Sequence, residues 1–294
     1  MLTCTATPAQ QSGAALGAHS AAHVSQKDAH NDMEVNMDAI VIAGGIPKPD
    51  QPLFEYTQGK AKAMLDIAGK PMVQWVLDAL GDAKKVGNVI IIGLPEEMSV
   101  TCKKPTYHIP NQGRMLANIE AGIDKMRELN PEAEYVLSSS ADIPAITGEM
   151  IDWLIDAAME TKHDLYYGVV KRETMDARYP NSNRTFTKLK DMELCGADIH
   201  IAHHSMTTDP EHLATWEVLI GQRKNPLKQA ASIGILTLVL LLLGRLSLAD
   251  AVKRATKKLN FTGRALIWPY AEGAMDVDKP HQLEMLRADL EKTV

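Results

Sequence analysis

Apolar residues along the chain fall into two alternating patterns, short unbroken runs and longer stretches in which they recur every three or four positions. The run Ala39–Ala43 within "MDAIVIAGG" ends in two glycines and shows no polar alternation, which suits a strand covered on both faces. "NVIIIG" (Asn88–Gly93), "YVLSSS" (Tyr135–Ser140) and "DLYYGVV" (Asp164–Val170) read as three further strands. Between them, "KPMVQWVLDALGDA" puts Met72, Trp75, Val76 and Leu80 on one helical face, with Pro71 at the first helical position. "RMLANIEAGIDKMREL" repeats the pattern with Met115, Ile119, Ile123 and Met126. Strand, helix and strand in succession pair in parallel and wind right-handed into an open α/β sheet. Ligands of such sheets sit in the crevice beyond the carboxyl ends of the strands.

Two stretches break the alternation. Residues 1–36 are rich in Ala, Ser, Gln and His without a sustained apolar period, which predicts a disordered tail outside the folded domain. The tail lacks the basic start and apolar core of a secretory signal, and Met33 or Met37 serves equally well as a start. Its His19, His23 and His30 are expected to be solvated tail residues and not metal ligands. The uncharged run "QAASIGILTLVLLLLG", Gln229–Gly244, is 16 residues long and lies between Lys228 and Arg245. A spanning helix needs about 20 apolar residues, so the run predicts no membrane span. It predicts instead a buried or interfacial helix, or the lining of a pocket for a greasy acceptor. Residues 37–294 then form one domain, with 171–260 as an acceptor-side insertion and helices.

Composition narrows the partners. A net charge of -6 with 23% charged residues argues against a nucleic-acid binder, which neutralises backbone phosphates with clustered Lys and Arg, and favours a small substrate. Cys4, Cys102 and Cys195 are odd in number and widely spaced, so they suggest neither a disulfide framework nor a zinc site, and a cytoplasmic location fits.

The candidate chemistry lies where strands end. Gly44 and Gly45 let the backbone after Ala43 turn sharply and approach a ligand, with N–H groups free to face an anion. "SSSADIPAIT" brings Asp142 out at the end of another strand, where it can hold a divalent cation against phosphate oxygens or simply cap a helix. Near the far end, "AEGAMDVDKPHQLEML" offers Asp276 and Asp278 before another helix.

The glycine pair, "KAMLDIAGKPMVQWVLDAL", "ADIP" and "MDVDKPHQLE", in that order, resemble the nucleotidyltransferases of Rossmann-like, GT-A-type fold. The resemblance is nearest the MobA-like NTP transferases, the branch that includes molybdenum cofactor guanylyltransferase, and runs from Met37 to about Leu290. It implies an α/β fold with a mostly parallel central sheet flanked by helices. It further implies transfer of an NMP from an NTP to a phosphorylated small-molecule acceptor, with release of pyrophosphate and Mg2+ as cofactor. By the family's motifs Lys62 contacts the phosphates, and Asp142 and Asp278 bind the metal. Ala43, Gly44 and Gly45 then line the nucleotide, and Asn111, Gln112, Gly113 and Asn118 offer donors and acceptors to its base. The loop "GGIPKPDQPLFEYTQGKAK" departs from the family in carrying no arginine, which leaves Lys48 and Lys60 as its other cations.

Beyond the fourth strand, Lys171, Arg172, Arg184 and Lys188 form a basic cluster suited to a phosphorylated acceptor, followed by a hairpin of "TFTKLKD" and "CGADIHIAH". Three other readings stand beside this one. They are a GT-A glycosyltransferase using a nucleotide sugar, a non-catalytic nucleotide-binding protein, and a membrane-associated protein.

Overall fold

The computed structural model describes residues 36–209 and 225–293, together with Leu213, Trp216, Glu217, Ile220 and Gly221 between them. The expectations for Cys4, the three tail histidines and Met33 lie outside the described residues. An eight-stranded sheet runs in the order β10-β7-β9-β6-β1-β4-β5, with β8 paired to β9. Its strands are β1 (Met37–Ile42), β4 (Val86–Ile92), β5 (Thr106–Ile109), β6 (Tyr135–Ser140), β7 (Leu165–Lys171), β8 (Thr187–Lys188), β9 (Glu193–His203) and β10 (Gly263–Trp268). A two-residue hairpin pairs β2 (Asp66–Ile67) with β3 (Lys70–Pro71). β1, β4, β5 and β6 pair in parallel, as do β7 and β10, while β9 runs antiparallel between β6 and β7.

The unbroken apolarity of β1 and β4 follows from cover on both faces. Ala39, Val41, Val89 and Ile91 join a core with Met72, Val76 and Leu80 of a helix at Met72–Asp82. Ile40, Ile90 and Ile92 point the other way, onto Ile123 and Met126 of a helix at Met115–Leu129. The remaining helices that matter below are Gly148–Met159, Arg172–Arg178 and Pro280–Leu290. Numbered in chain order from a single turn at Phe54–Thr57, α1, these are α2 (Met72–Asp82), α3 (Met115–Leu129), α4 (Gly148–Met159) and α5 (Arg172–Arg178). Pro71 sits one residue earlier than expected, as the N-cap of α2.

The leucine-rich run, expected as one buried or interfacial helix, is not continuous. It forms two helices, Pro226–Ile233 and Ile235–Leu242, broken at Gly234, whose φ of 154° suits glycine and whose Cβ position meets open space. Ile235 is 74% exposed and Leu242 64%. Among the described residues no helix is long and apolar enough to cross a membrane.

Candidate active site

In-register pairing of Ile42 with both Ile92 and Ser140 brings the carboxyl ends of β1, β4 and β6 level. Three loops therefore leave the sheet side by side. Gly44 packs against Gly93 so closely that a Cβ built on Gly93, which has a φ of 85°, would lie 2.4 Å from the Gly44 Cα. The first glycine of the pair therefore serves backbone packing as much as ligand approach. Gly45 faces open space. Its carbonyl accepts from the Lys62 N–H at 2.8 Å, which draws the far end of the long loop back to the strand. Lys62 opens a 3-10 turn, Lys62–Met64, and its side chain reaches inward, whereas Lys48 and Lys60 are exposed.

The Lys62 Nζ lies 2.5 Å from Asp142 Oδ2 and 3.0 Å from Asp278 Oδ1. Two acids 136 positions apart in sequence thus meet at one cation-sized position. The Asp142 carbonyl accepts from the Val277 N–H at 3.0 Å, so the two acidic segments are also tied through the backbone. Ser140 Oγ donates to Asp142 Oδ1 at 2.5 Å, and the Asp278 N–H donates to Gln282 Oε1 at 3.0 Å. Neither acid caps a helix: Thr147 caps α4 with its side chain, and Lys279 holds the N-cap position of Pro280–Leu290. Burial opposes the Lys62 ammonium, but Asp142 and then Asp278 outweigh it and hold its pKa above the usual lysine value.

Behind this triad lies a second charged group that the motifs did not disclose. Arg184 bonds Asp276 Oδ1 through Nη1, and through Nη2 it reaches the Gly196 carbonyl at 3.0 Å and Asp198 Oδ2 at 3.4 Å. Burial pushes the Asp198 carboxyl up to about 8, helped by Asp276, Asp142 and Asp278, with Arg184 pulling the other way. Burial likewise raises Asp276 to about 6, moderated by Arg184. Asp198 is therefore shifted toward its protonated form, although its side chain is 32% exposed. Its only sequence signal was a lone acid in "CGADIHIAH", on the face opposite the buried Ala197 and Ile199.

The sign of the linkage follows from the direction of the shift. A carboxyl whose folded pKa lies above its unfolded value of 3.8 contributes stability present below that value and lost as pH rises through about 8. Asp198→Asn is therefore expected to raise Tm relative to the parent at pH 8, by the few degrees that about 1 kcal/mol produces in a domain of this size, and to lose that advantage near pH 4. Melting curves across that range check it, and a constant offset would mean that folding leaves the Asp198 pKa unshifted.

At the other side of the glycine loop, Asn111 Nδ2 donates to the Gly44 carbonyl at 3.1 Å, and Asn111 Oδ1 accepts from the Gly113 N–H at 2.8 Å. Asn118 Oδ1 accepts from the Gln112 N–H at 2.7 Å. Asn118 is buried and shapes this turn from beneath, while Asn111, Gln112 and Gly113 are exposed beside Gly44. The N-cap of α3 is Arg114, so Asn111 is not a capping residue. The expected basic cluster is not a unit. Arg172 pairs with Glu193 and Asp176 and lies over the Phe186 ring, Lys188 is exposed, and Arg184 is taken up by the buried acids.

Residues 39–258 match the model of the MobA-like NTP transferase domain. The chain is 28% identical over 146 residues to the 3-deoxy-manno-octulosonate cytidylyltransferase of Geobacter sulfurreducens, a match that takes in 48% of this chain and 57% of that protein. It superposes on a hypothetical transferase from Thermus thermophilus with a TM-score of 0.72 and 31% identity, covering 84% of this chain and 99% of the other. A CMP:2-keto-3-deoxy-manno-octonic acid synthetase complexed with CTP shares the fold at a TM-score of 0.55 and 13% identity, over 88% of this chain and 100% of the synthetase. The glycine loop at the sheet's carboxyl edge, the lysine beside two acids and the length of the family match agree: the chain belongs to the MobA-like NTP transferase family.

Proposed function

We propose that the protein transfers an NMP from an NTP to a phosphorylated small-molecule acceptor, with Mg2+ held by Asp142 and Asp278 and pyrophosphate released. The observation that carries this reading is the Lys62 ammonium lying within 3.0 Å of both carboxylates, beside the glycine loop. The donor set fits the metal. Mg2+ characteristically takes one or two carboxylates and completes its shell with water and substrate phosphates, and among the described residues no larger cluster of His, Cys, Asp and Glu competes for it. When bound, the ion would neutralise charge on the reacting phosphates.

The chain's own residues do the rest. Gly45 presents open backbone to the phosphates, and Lys62, shared between two acids, exchanges carboxylate contacts for phosphate oxygens as the nucleotide enters. The exposed turn at Asn111–Gly113 supplies hydrogen-bonding groups for the base. A phosphate-monoester acceptor is already ionised near neutral pH, so its oxygen attacks the α-phosphorus in line without a general base. One P–O bond forms, the α–β bridging bond breaks, and pyrophosphate leaves with the electron pair.

The test is pyrophosphate release from ATP, CTP, GTP and UTP with Mg2+ and a panel of sugar, alcohol and cofactor phosphates. The cytidylyltransferase relative makes CTP the first to try. Lys62→Ala is expected to lower kcat/KM about ten- to a hundredfold, the worth of one charge-assisted phosphate contact. Unchanged kinetics would remove Lys62 from the reaction. Nucleoside diphosphate released from a nucleotide sugar, in place of pyrophosphate from an NTP, would identify glycosyl transfer instead.

A further inference from the structure

The second helix of the leucine-rich run, Ile235–Leu242, presents an apolar face to solvent. Ile235, Leu236, Val239, Leu242 and Leu243 recur at helical spacing and are 41 to 74% exposed. The opposite face is spoken for: Leu240 and Leu241 pack on Val169, Leu194 and Leu246, and Thr237 is buried. Monomeric proteins seldom leave a contiguous patch of this kind uncovered, so the outer face is built to meet something.

What it meets is indicated by charge. Between Asn225 and Asn260 the chain carries six basic residues against the single acid Asp250, in a protein whose net charge is -6. Lys228 and Arg245 flank the apolar run, and Lys253, Lys257 and Lys258 are exposed on the following helix, Leu248–Leu259. None of these five forms an ion pair among the described residues, although elsewhere lysines such as Lys70, Lys85 and Lys103 pair with nearby aspartates. Exposed cations that flank an exposed leucine face along the chain form the pattern of a segment that lies in the headgroup layer of an anionic bilayer. The apolar side chains enter the acyl boundary while the cations face lipid phosphates. A second copy of the chain would bring a second set of these cations against the first, which opposes self-association through this face. With no helix able to span the bilayer among the described residues, attachment stays at the surface.

We infer that the face formed by Ile235, Leu236, Val239, Leu242 and Leu243, with Lys228, Arg245 and the exposed lysines of the following helix, docks the protein peripherally onto anionic membrane surfaces. The experiment is co-sedimentation of the full chain with phosphatidylcholine vesicles and with vesicles containing about a third phosphatidylglycerol, at low and high salt. Binding is expected to the anionic vesicles at low salt and to fall steeply at high salt, where surface charges are screened. Lys257→Gln with Lys258→Gln is expected to weaken it about fivefold for each charge removed. Leu236→Ser with Leu242→Ser is expected to bring it to background with an unchanged Tm, since both side chains are exposed in the folded protein. Three outcomes would overturn the inference. One is no sedimentation with anionic vesicles, and another is equal binding to both vesicle types or by the leucine variant. The third is a dimer in sedimentation equilibrium that the leucine variant dissociates while vesicle binding is absent, which would give the face to a second copy.

Discussion

Asp142→Asn and Asp278→Asn are each expected to lower nucleotidyl transfer about a hundredfold or more, the scale on which charge-stabilising groups at a reacting phosphate act. The two side chains converge on the one Lys62 ammonium, so they act as a unit, and the double variant is expected to be little worse than the poorer single one. Stability should change little. Neither acid caps a helix, and in either single variant Lys62 keeps one carboxylate partner. The check is a Mg2+ titration of pyrophosphate release beside melting temperatures for parent, single and double variants. Parent-like Mg2+ dependence in either single variant would dissolve the shared site and leave that aspartate a partner of Lys62 alone.

The second large effect is on folding. Arg184→Met keeps much of the side chain's hydrocarbon volume but strands the buried Asp276 and leaves the partly exposed Asp198 without its cation. Breaking a buried pair by removing one partner costs about 3–5 kcal/mol, because the remaining charge is left without compensation. At about 2–4 °C per kcal/mol for a domain of this size, Tm is expected to fall by roughly ten degrees at pH 8. The loss should shrink toward pH 5, where the raised pKa of Asp198 and of Asp276 lets both carboxyls take up protons. Adding Asp276→Asn to Arg184→Met should recover part of the stability. A Tm that ignores Arg184→Met at every pH would mean that water already compensates these acids.

Arg184 also shows where reading by sequence stops. Placed near Lys171, Arg172 and Lys188 it resembled one member of an acceptor-binding patch. In the fold it turns inward, because Asp276 comes from the far end of the chain and Asp198 from the middle of β9, and neither is near it in sequence. Lys62 is the opposite case. Its motif neighbourhood predicted a place beside phosphates, and the N–H bond to Gly45 together with the reach to two acids puts it at the expected edge of the sheet.

The sequence by itself determined β1, β4, β6 and β7, the helices between them and the order of the glycine loop, lysine and acids. Those features rest on local periodicity and on short segments whose chemistry is readable in place. Only the tertiary structure decided that β9 inserts antiparallel at the sheet's centre, that GRALIW becomes the edge strand β10, and that Gly93 must be small because the Gly44 backbone packs on it. It also decided that the leucine-rich run breaks at Gly234 and turns one face outward, and that Asp198 lies half-buried on Arg184 together with the buried Asp276. Each of these depends on which distant segment a residue meets. Burial, and with it the protonation state of a carboxyl, is set by neighbours that the linear pattern does not name.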